Sequence, residues 1–285
     1  MTYPGTLLKG SNLFARKELG QNFLADPNAA EMIVNRADIS RDDLVLEIGP
    51  GLGALTIPAA KKAGKVYAVE KDTRLSPLLK EELASAGITN AEVITGDIMK
   101  IDISLLAGRE KLVVIGNLPY NISSQILFRL VENRNRVKKA VLMFQKELAQ
   151  RITAPPGKKE YGRLSAVMQY SSTVTPLADL DPKLFFPRPE VKSRVIEVSF
   201  FDTTPLSPEK ETFLYRVIKA AFSKRRKTLR NSLAGKELDI TAEEAALALE
   251  VSGIDPARRA ETLNVDDFTA LSRGLWKICQ RKKYG

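Results

Sequence analysis

Histidine is absent from this sequence of 285 residues, and cysteine occurs once, at Cys279. The absence of imidazole excludes a Ser-His or Cys-His catalytic pair, a histidine general base and a histidine metal site, and we expect no resident metal. A lone cysteine cannot form an internal disulfide, so nothing in the composition favours an oxidising compartment. Any chemistry performed by this chain must therefore proceed without imidazole.

Long apolar runs are missing as well. No stretch is long enough to span a bilayer, and the opening residues, MTYPGTLLKG, contain no apolar run of signal-peptide length. Internal repeats and low-complexity tracts are also absent. We therefore expect a soluble, cytoplasmic protein with no membrane partner, and a monomer is the default expectation.

Acidic residues are outnumbered, with 34 Asp and Glu against 44 Lys and Arg, which gives a net charge of +10. This excess favours a polyanionic partner, and nucleic acid is the commonest one, although a merely soluble basic protein would have the same composition. The apolar fraction of 44% is ample for a buried core. A chain of this length predicts one large domain with a smaller second one.

Short β-rich runs alternate with helical stretches over the first two-thirds of the chain. Predicted strands are Leu44–Ile48, Val66–Glu70, Glu92–Thr95, Leu112–Ile115 and Ala140–Phe144, with predicted helices at Thr73–Ala86 and Ser123–Glu132. This alternation predicts an α/β fold with a doubly wound, mostly parallel sheet. A later pair of runs, Ser172–Thr175 and Arg194–Phe200, predicts an antiparallel hairpin at the edge of the sheet.

The pattern changes at Asp202–Pro208, where two prolines and no apolar run indicate a linker. The residues beyond it predict a small all-helical domain, whose helices are Glu209–Ala221, Thr228–Ala234, Ala242–Val251 and Val265–Cys279. Ser207 before Pro208 is typical of a helix cap and first turn. We therefore predict a first domain at 1–203 and a helical domain at 204–285.

A glycine-rich turn follows the first predicted strand, in Leu44-Val-Leu-Glu-Ile-Gly-Pro-Gly-Leu-Gly53. Gly49, Gly51 and Gly53 allow a tight turn and a close approach to a ligand, and the following helix would offer unpaired N–H groups. Because Gly49, Gly51 and Ala54 also satisfy the dinucleotide pattern, a nicotinamide or flavin enzyme has to be considered at this point.

Acidic residues near this turn favour a different cofactor. Glu70 ends the second predicted strand, where a carboxylate can accept hydrogen bonds from both ribose hydroxyls, and Asp97 ends the third, where it could bind an adenine amine beside Gly96. Glu47 precedes the loop, and a carboxylate at that position does not help to bind a pyrophosphate. A cationic sulfonium with an ammonium group fits these acids better, so we predict S-adenosylmethionine rather than NAD.

A second motif, Gly116-Asn117-Leu118-Pro119-Tyr120, follows the fourth predicted strand at the same sheet edge. The amine of adenine is a poor nucleophile because its lone pair is delocalised, and two acceptors on its hydrogens would restore that density. The Asn117 side-chain oxygen can be one acceptor and the Leu118 carbonyl the other, because Pro119 biases Leu118 to an extended conformation. Tyr120 offers a flat face for stacking the base, and no strong base is needed.

These motifs together resemble the ribosomal RNA adenine N6,N6-dimethyltransferases of the KsgA type over nearly the whole chain. The matching segments, in the family's order, are Lys17–Leu24, Glu47–Thr56, Glu70-Lys71, Gly96-Asp97, Asn117–Leu127, Phe185–Ser193, Ala221–Leu233 and Arg258–Phe268. The resemblance implies a Rossmann-like methyltransferase sheet and a helical RNA-binding domain. The implied substrate is a pair of adjacent adenosines in a hairpin loop near the 3′ end of small-subunit rRNA, methylated during assembly of the small ribosomal subunit.

The resemblance also implies roles for individual residues. Gly49 would contact the methionine end of the cofactor, Asn117 and Leu118 the target amine, and Tyr120 and Phe186 would sandwich the flipped adenine. The prolines around Phe186 independently suit a stiff loop that presents its ring, whereas Phe185 reads as a core residue. The full predicted cofactor set is Gln21, Asn22, Leu24, Glu47, Gly49, Gly51, Glu70, Lys71, Asp97, Ile98 and Asn117.

Every charged residue from Arg216 to Arg230 is basic. Such a run is often only a solvated face, but beside an RNA-modifying pocket it predicts contacts with phosphates. The predicted RNA-binding residues are Lys224, Arg225, Arg226, Lys227 and Arg230.

Four alternatives remain open. A resistance-type enzyme acting on large-subunit rRNA would share the pocket but differ in its helical domain. A DNA adenine methyltransferase usually has an acidic residue where this chain has Asn117. A non-catalytic assembly factor should show decay at Glu70, Asp97 or Asn117–Tyr120, and none is visible. A dehydrogenase is the remaining reading and the least favoured.

Overall fold

The computed structural model describes residues 2–119, 122–224 and 226–284, with side chains as far as Gln280. The chain divides into two compact units, of which unit 1 comprises Met1–Ala149 and Thr173–Asp202. Unit 2 comprises Gln150–Ser172 and Thr203–Gly285. The predicted division at 203/204 differs from this one at residues 150–172, which were assigned to the first domain.

Residues 150–172 belong to unit 2 for reasons that no local sequence pattern reveals. The Tyr161 hydroxyl donates a hydrogen bond to the carbonyl of Leu263 at 2.9 Å. The backbone N–H of Gly157 donates to the carbonyl of Glu261 at 2.7 Å. These bonds join residues about a hundred positions apart in the sequence, so no pattern within the segment itself predicts them.

The strands are β1 (Phe23–Leu24), β2 (Leu44–Ile48), β3 (Lys65–Glu70), β4 (Ala91–Thr95), β5 (Leu112–Asn117), β6 (Val137–Gln145), β7 (Ser172–Leu180), β8 (Phe185–Phe186) and β9 (Ser193–Phe200). The helices are α1 (Pro4–Gly10), α2 (Pro27–Arg36), α3 (Thr56–Ala60), α4 (Leu75–Ser85), α5 (Ile103–Ala107), α6 (Ser123–Glu132), α7 (Lys146–Thr153), α8 (Arg163–Ser171), α9 (Pro208–Ala221), α10 (Leu229–Leu233), α11 (Ala242–Val251) and α12 (Val265–Tyr284).

The main sheet of unit 1 has the strand order β4-β3-β2-β5-β6-β9-β7. The pairs β2–β3, β3–β4, β2–β5 and β5–β6 are parallel, and β9 is antiparallel to β6. The central strands are apolar on both faces: every side chain from Leu112 to Ile115 is buried. The predicted mostly parallel, Rossmann-like α/β fold is confirmed, and β9 and β7 occupy the predicted edge.

Strand order reverses between β2 and β5, since the chain builds outward through β3 and β4 on one side before returning to β5 on the other. Ligands of open α/β sheets bind at the carboxyl ends of the strands at such a reversal. Gly116 allows the two strands to meet there, because a Cβ at this residue would lie 2.7 Å from the carbonyl oxygen of Ile48. The topology thus places the ends of β2 and β5 side by side.

A second, two-stranded sheet pairs β1 with β8, with Phe23 opposite Phe186 and Leu24 opposite Phe185. Two-residue strands carry no periodicity, and neither was predicted. The pairing joins the segment before α2 to the loop after β7. Phe185 is buried with the core beneath the sheet, as predicted, whereas Phe186 is only partly buried.

Unit 2 is helical in its described part. Helices α9 to α12 follow the predicted ones closely, and α12 extends beyond the predicted end at Cys279 as far as Tyr284. Ser207 occupies the position before the first turn of α9, with Pro208 at its start, but its side chain makes no capping hydrogen bond. Thr241 provides a full capping box for α11, since its side chain and that of Glu244 bond reciprocally to each other's backbone N–H groups.

Candidate active site

A cleft opens at the carboxyl edge of the sheet, built entirely from unit 1. It encloses about 1110 Å³ including its solvent-open mouth. The residues predicted for the cofactor all line it, and they come from the segment before α2 and from the ends of β2, β3, β4 and β5. These residues are Gln21, Asn22, Leu24, Glu47, Gly49, Gly51, Glu70, Lys71, Asp97, Ile98 and Asn117.

The glycine loop at the end of β2 has the conformation that the sequence predicts. Gly49, Gly51 and Gly53 have φ values of 70°, 56° and 90°, which disfavour any residue with a Cβ. A Cβ at Gly51 would also lie 2.9 Å from the ring of Phe23. The predicted helix follows the loop: α3 begins at Thr56, and the N–H of Ile57 already donates to the carbonyl of Gly53 at 3.1 Å.

Glu70, at the end of β3, holds this loop in place. Its Oε2 accepts a hydrogen bond from the N–H of Gly51 at 2.9 Å, and its Oε1 accepts one from the N–H of Asp72 at 2.7 Å. The side chain is buried, and burial raises the pKa of its carboxyl. Glu70 is therefore fixed at the cleft wall with its oxygens oriented, which suits the recognition of paired hydroxyl groups.

Asp97 lies beyond the end of the adjacent β4. Its Oδ2 accepts a hydrogen bond from the Lys71 ammonium at 2.8 Å, and its Oδ1 accepts one from the N–H of Met99 at 3.0 Å. The Lys71 ammonium holds the pKa of this carboxyl below its usual range. Asp97 is thus an ionised acceptor at the rim of the cleft, with the buried Ile98 next to it.

Glu47 is the buried acid of β2, one residue before the end of the strand. Its side chain is only 1% exposed, and its Oε2 has no hydrogen-bond partner among the described residues. Burial, with the nearby Glu70 carboxylate, raises its pKa to about 8. A buried carboxyl with an orphaned oxygen beside the glycine loop is incomplete without a further group, and a cation would supply what it lacks.

Asn117, the last residue of β5, is anchored by its own amide. The Nδ2 atom donates a hydrogen bond to the carbonyl of Asn22 at 2.7 Å, which turns Oδ1 away as the remaining acceptor. The N–H of Leu118 donates to the carbonyl of Met143 at 3.1 Å, so the backbone is fixed at the next residue as well. Leu118 and Pro119 also line the cleft. Tyr120, predicted to stack on the target base, lies outside the described residues.

Phe186 does not line the cleft itself but packs beside it. Its ring lies 5.7 Å from that of Tyr3, and it contacts a cluster that contains Leu8, Phe23 and Leu52. Because Phe23 lines the cleft and pairs with Phe186 across β1 and β8, the aromatic ring is tied to the wall of the pocket. Its role in stacking a base stays a prediction.

Asp72 and Arg74 were missed by the sequence reasoning. Asp72 is 2% exposed and accepts two bonds from the Arg74 guanidinium, from Nε at 2.9 Å and from NH2 at 2.6 Å. It also accepts one from the Gln21 side chain at 2.9 Å. The Arg74 guanidinium holds the pKa of Asp72 at about 2. The sequence signal that could have identified them is an acidic and a basic residue two positions apart, directly after Glu70-Lys71.

The predicted RNA-binding residues differ in their surroundings. Lys224, Arg226, Lys227 and Arg230 are exposed in unit 2, and Arg225 lies outside the described residues. Lys224 Nζ donates to the carbonyl of Asn231 at 3.1 Å, and Arg230 forms an ion pair with Glu243 at 3.4 Å. Part of this basic surface is therefore already engaged within the protein.

No group of three or more His, Cys, Asp or Glu side chains is arranged to hold a metal ion in residues 2–119, 122–224 and 226–284. Over the same described part of the chain, none of the helices combines the length and the apolarity needed to cross a membrane.

Comparison with known proteins gives a consistent match. Residues 12–276 match the family model described as "Ribosomal RNA adenine dimethylase". The chain is 66% identical over 278 residues to the Ribosomal RNA small subunit methyltransferase A of Desulforapulum autotrophicum, with 98% of both chains covered. It is 42% identical over 274 residues to the protein of the same name from Geobacter metallireducens, covering 95% of this chain and 99% of the relative.

Solved structures agree with the fold. The chain is similar to a dimethyladenosine transferase from Plasmodium falciparum, with a TM-score of 0.75, 28% identity and coverage of 87% of this chain and 95% of the other. It shares the fold of the 23S rRNA methyltransferase ErmE, with a TM-score of 0.67, 24% identity and coverage of 89% and 99%. Both similarities extend over most of the chain.

Proposed function

The chain belongs to the ribosomal RNA adenine dimethylase family, and on that premise we propose that it dimethylates N6 of two adjacent adenosines in 16S rRNA. The methyl groups come from S-adenosylmethionine. The adenosines lie in a hairpin loop near the 3′ end of the rRNA, and the reaction serves biogenesis of the small ribosomal subunit. Relatives named for small-subunit methylation and aligned over the full length support this choice of substrate.

The observation that carries the chemistry is the anchored amide of Asn117. Its Nδ2 is held by the Asn22 carbonyl at 2.7 Å, so Oδ1 is available to accept a hydrogen bond from the adenine amine. The Leu118 carbonyl supplies the second acceptor. In the first transfer, with both amine hydrogens bonded, the nitrogen lone pair points at the incoming methyl group, and positioning supplies most of the catalysis.

The cleft fits S-adenosylmethionine by its own chemistry. Glu47 presents a buried oxygen without a partner among the described residues, next to the glycine loop that lines the same cleft. The carboxylates of Glu70 and Asp97 suit the ribose hydroxyls and the adenine amine of such a cofactor. When bound, S-adenosylmethionine supplies an electrophilic methyl group on a sulfonium. Each transfer forms one N–C bond, breaks one S–C bond and releases one proton from the nitrogen.

Recognition of the target base is assigned to Tyr120 and Phe186. The adenine has to leave its stack to reach the cleft, and loop nucleotides make this extrusion cheap. Phe186 is partly exposed beside Phe23 at the cleft wall, which supports a stacking role. The exposed Lys224, Arg226 and Lys227 of unit 2, with Arg225 and Arg230, would bind the phosphates of the same RNA.

Methyl transfer from labelled S-adenosylmethionine tests this function. Three substrates are offered: immature small ribosomal subunits, naked small-subunit rRNA and duplex DNA. The products are then digested to nucleosides and identified. We expect N6,N6-dimethyladenosine from the subunits and no labelled nucleoside from the DNA. Transfer of label to the duplex DNA instead of to the subunits would contradict the proposed substrate.

A non-catalytic assembly role predicts a different result, namely tight binding to immature subunits with no label transferred to any substrate. The intact set of Glu70, Asp97, Asn117 and the glycine loop argues against that outcome, because a protein that no longer catalyses has no need of an oriented amide.

A further inference from the structure

Unit 2 contains a groove that none of the predicted functions uses. The groove runs between the linker before α9, the first turn of α9 and the middle of α12, and encloses about 810 Å³ including its open mouth. Its lining consists of Pro205, Leu206, Ser207, Lys210, Ser272, Arg273, Trp276 and Lys277.

The groove carries three cations and no carboxylate in its lining. Arg273 and Lys277 are one turn apart on α12, and Lys210 faces them from the first turn of α9. None of the three has an ion-pair partner within 4.0 Å in the described part of the chain; the Arg273 guanidinium only donates to the carbonyl of Pro205 at 3.5 Å. The positive charge of the groove is therefore left unneutralised by the protein.

Trp276, the one tryptophan of the sequence, forms part of the wall. It lies three residues after Arg273, so the indole and the Arg273 guanidinium are neighbours on α12, and Lys277 lies one turn beyond Arg273 on the same helix. The ring of Phe213 packs edge-on against the indole at 5.2 Å and 77°, which fixes its orientation. The indole is still partly exposed, and a rigid aromatic ring among free cations is a surface on which a nucleobase can stack.

The basic run of residues 216–230 offers a contrast within the same unit. Lys219 is paired with Glu237 at 2.6 Å and Arg230 with Glu243 at 3.4 Å, and the aromatic residue of that run, Phe222, packs its ring against those of Tyr161 and Phe268. Charges of that kind can attract phosphate, but they offer no stacking surface. The groove combines both features.

We propose that this groove is a binding site for a single-stranded RNA segment, with one unstacked base on Trp276 and the neighbouring phosphates on Lys210, Arg273 and Lys277. The proposal rests on the proposed function for the presence of RNA, but the site consists of unit 2 residues alone. An acidic peptide would also neutralise the cations, yet it would leave the indole without a stacking partner. The chemistry of the wall therefore favours RNA.

Intrinsic fluorescence gives a direct test, because all tryptophan emission comes from Trp276 in this groove. The full-length protein is titrated with a single-stranded oligoadenylate of about ten nucleotides, a length typical of single-strand sites. We expect saturable quenching of the emission with a strong dependence on salt. Saturated binding measured by an independent method with no change in emission would overturn the proposal. Equal quenching by oligoglutamate would overturn it as well, in favour of a peptide site.

Variants identify the groups involved. The triple variant Lys210→Gln, Arg273→Gln, Lys277→Gln keeps the fluorophore, and the slope of log K against log salt should fall by about 2, since each phosphate bound on a single strand contributes about 0.7. The matched control is Lys236→Gln, an exposed lysine of unit 2 outside the groove. A fall in the salt slope as large in the control, or no fall in the triple variant, would overturn the proposed site.

Trp276→Phe provides a second line of evidence, because it keeps an aromatic ring against Phe213. Its affinity for the oligonucleotide, measured by anisotropy of a labelled strand, should fall about fivefold through the smaller stacking surface. Methyl transfer separates this proposal from the proposed function. A wild-type protein that shows quenching but no transfer leaves the groove standing and removes the activity, whereas transfer without quenching removes only the groove.

Discussion

The two units differ in how firmly the protein holds their functional side chains. At the sheet edge of unit 1, Glu70, Asp97 and Asn117 are each held by hydrogen bonds of 2.7–3.0 Å to the protein itself. On unit 2, Lys210, Lys227 and Lys277 are exposed and reach into solvent. Chemistry needs atoms fixed in advance, whereas phosphate binding needs only charge at the right distance. We therefore expect single substitutions to cause severe losses of activity in the first region and graded losses of binding in the second.

Asn117→Ala should give the largest effect. It removes the acceptor that orients the amine, and we expect transfer to fall by about 10²–10³-fold, the range for loss of one preorganised hydrogen-bonding group. Binding of S-adenosylmethionine, measured by calorimetry, should change much less. Asn35→Ala is the matched control, since Asn35 is an exposed asparagine of α2 whose side chain accepts a hydrogen bond from Lys62 at 2.6 Å. Activity retained in the Asn117 variant would contradict the acceptor role.

Glu47→Gln should change how stability depends on pH. The folded-state pKa of Glu47 is about 8 against an ordinary value of 4.5, so the folded protein keeps a proton that the unfolded chain loses. The stabilisation is complete below pH 4.5 and is lost as pH rises through 8. Urea unfolding of the ligand-free protein should show a decline of up to about 1.4 kcal/mol per pH unit in that window.

In the Glu47→Gln variant this decline should be much weaker. Part of it should remain, because burial also raises the pKa of Glu70. Asp72 does not interfere, since its pKa of about 2 confines its contribution to more acidic solutions, where stability falls as pH drops. Identical pH profiles for the variant and the wild type would mean that Glu47 is ionised in the folded protein.

Asp72→Ala tests whether positioning extends beyond the groups that contact ligand. Asp72 holds the Gln21 side chain at 2.9 Å, and the next residue, Asn22, holds the amide of Asn117. Loss of Asp72 should lower kcat about tenfold by loosening this chain of contacts, with a smaller rise in KM. In a protein that already carries Gln21→Ala, the Asp72→Ala change should lower kcat little further. Full additivity of the two changes would exclude this route.

Sequence reasoning located the cleft because parallel strands bring their ends to one edge. Once β2, β3, β4 and β5 are assigned to parallel strands, the residues after them have to converge, and Glu70, Asp97 and Asn117 all line the cleft. Glycine conformation was equally accessible, since Gly49 and Gly51 both have positive φ. These features depend on local patterns and on topology, both of which can be inferred from the sequence.

Features that depend on long-range partners were not accessible in the same way. The pairing of Phe23 with Phe186 involves two-residue strands without a pattern, and residues 150–172 belong to unit 2 through bonds such as that from Tyr161 to Leu263. The charge pattern also could not show that Arg230 meets Glu243 while Lys277 meets no carboxylate among the described residues. A run of lysines and arginines reports charge but not what neutralises it.

Neutralising the basic run should give the smallest effect for each residue changed. Replacing Lys224, Arg226 and Lys227 with Gln should weaken binding to small-subunit rRNA and lower its salt slope by about 0.7–0.9 for each phosphate that the protein no longer binds. Arg230→Gln should lower the slope less, because Glu243 already neutralises part of its charge at 3.4 Å. Transfer at saturating RNA should stay close to that of the wild type, since no group at the cleft is altered. A drop in slope from Arg230→Gln as large as the drop per residue in the triple variant would show that RNA displaces Glu243. The surface of unit 2 would then be as specifically arranged as the sheet edge.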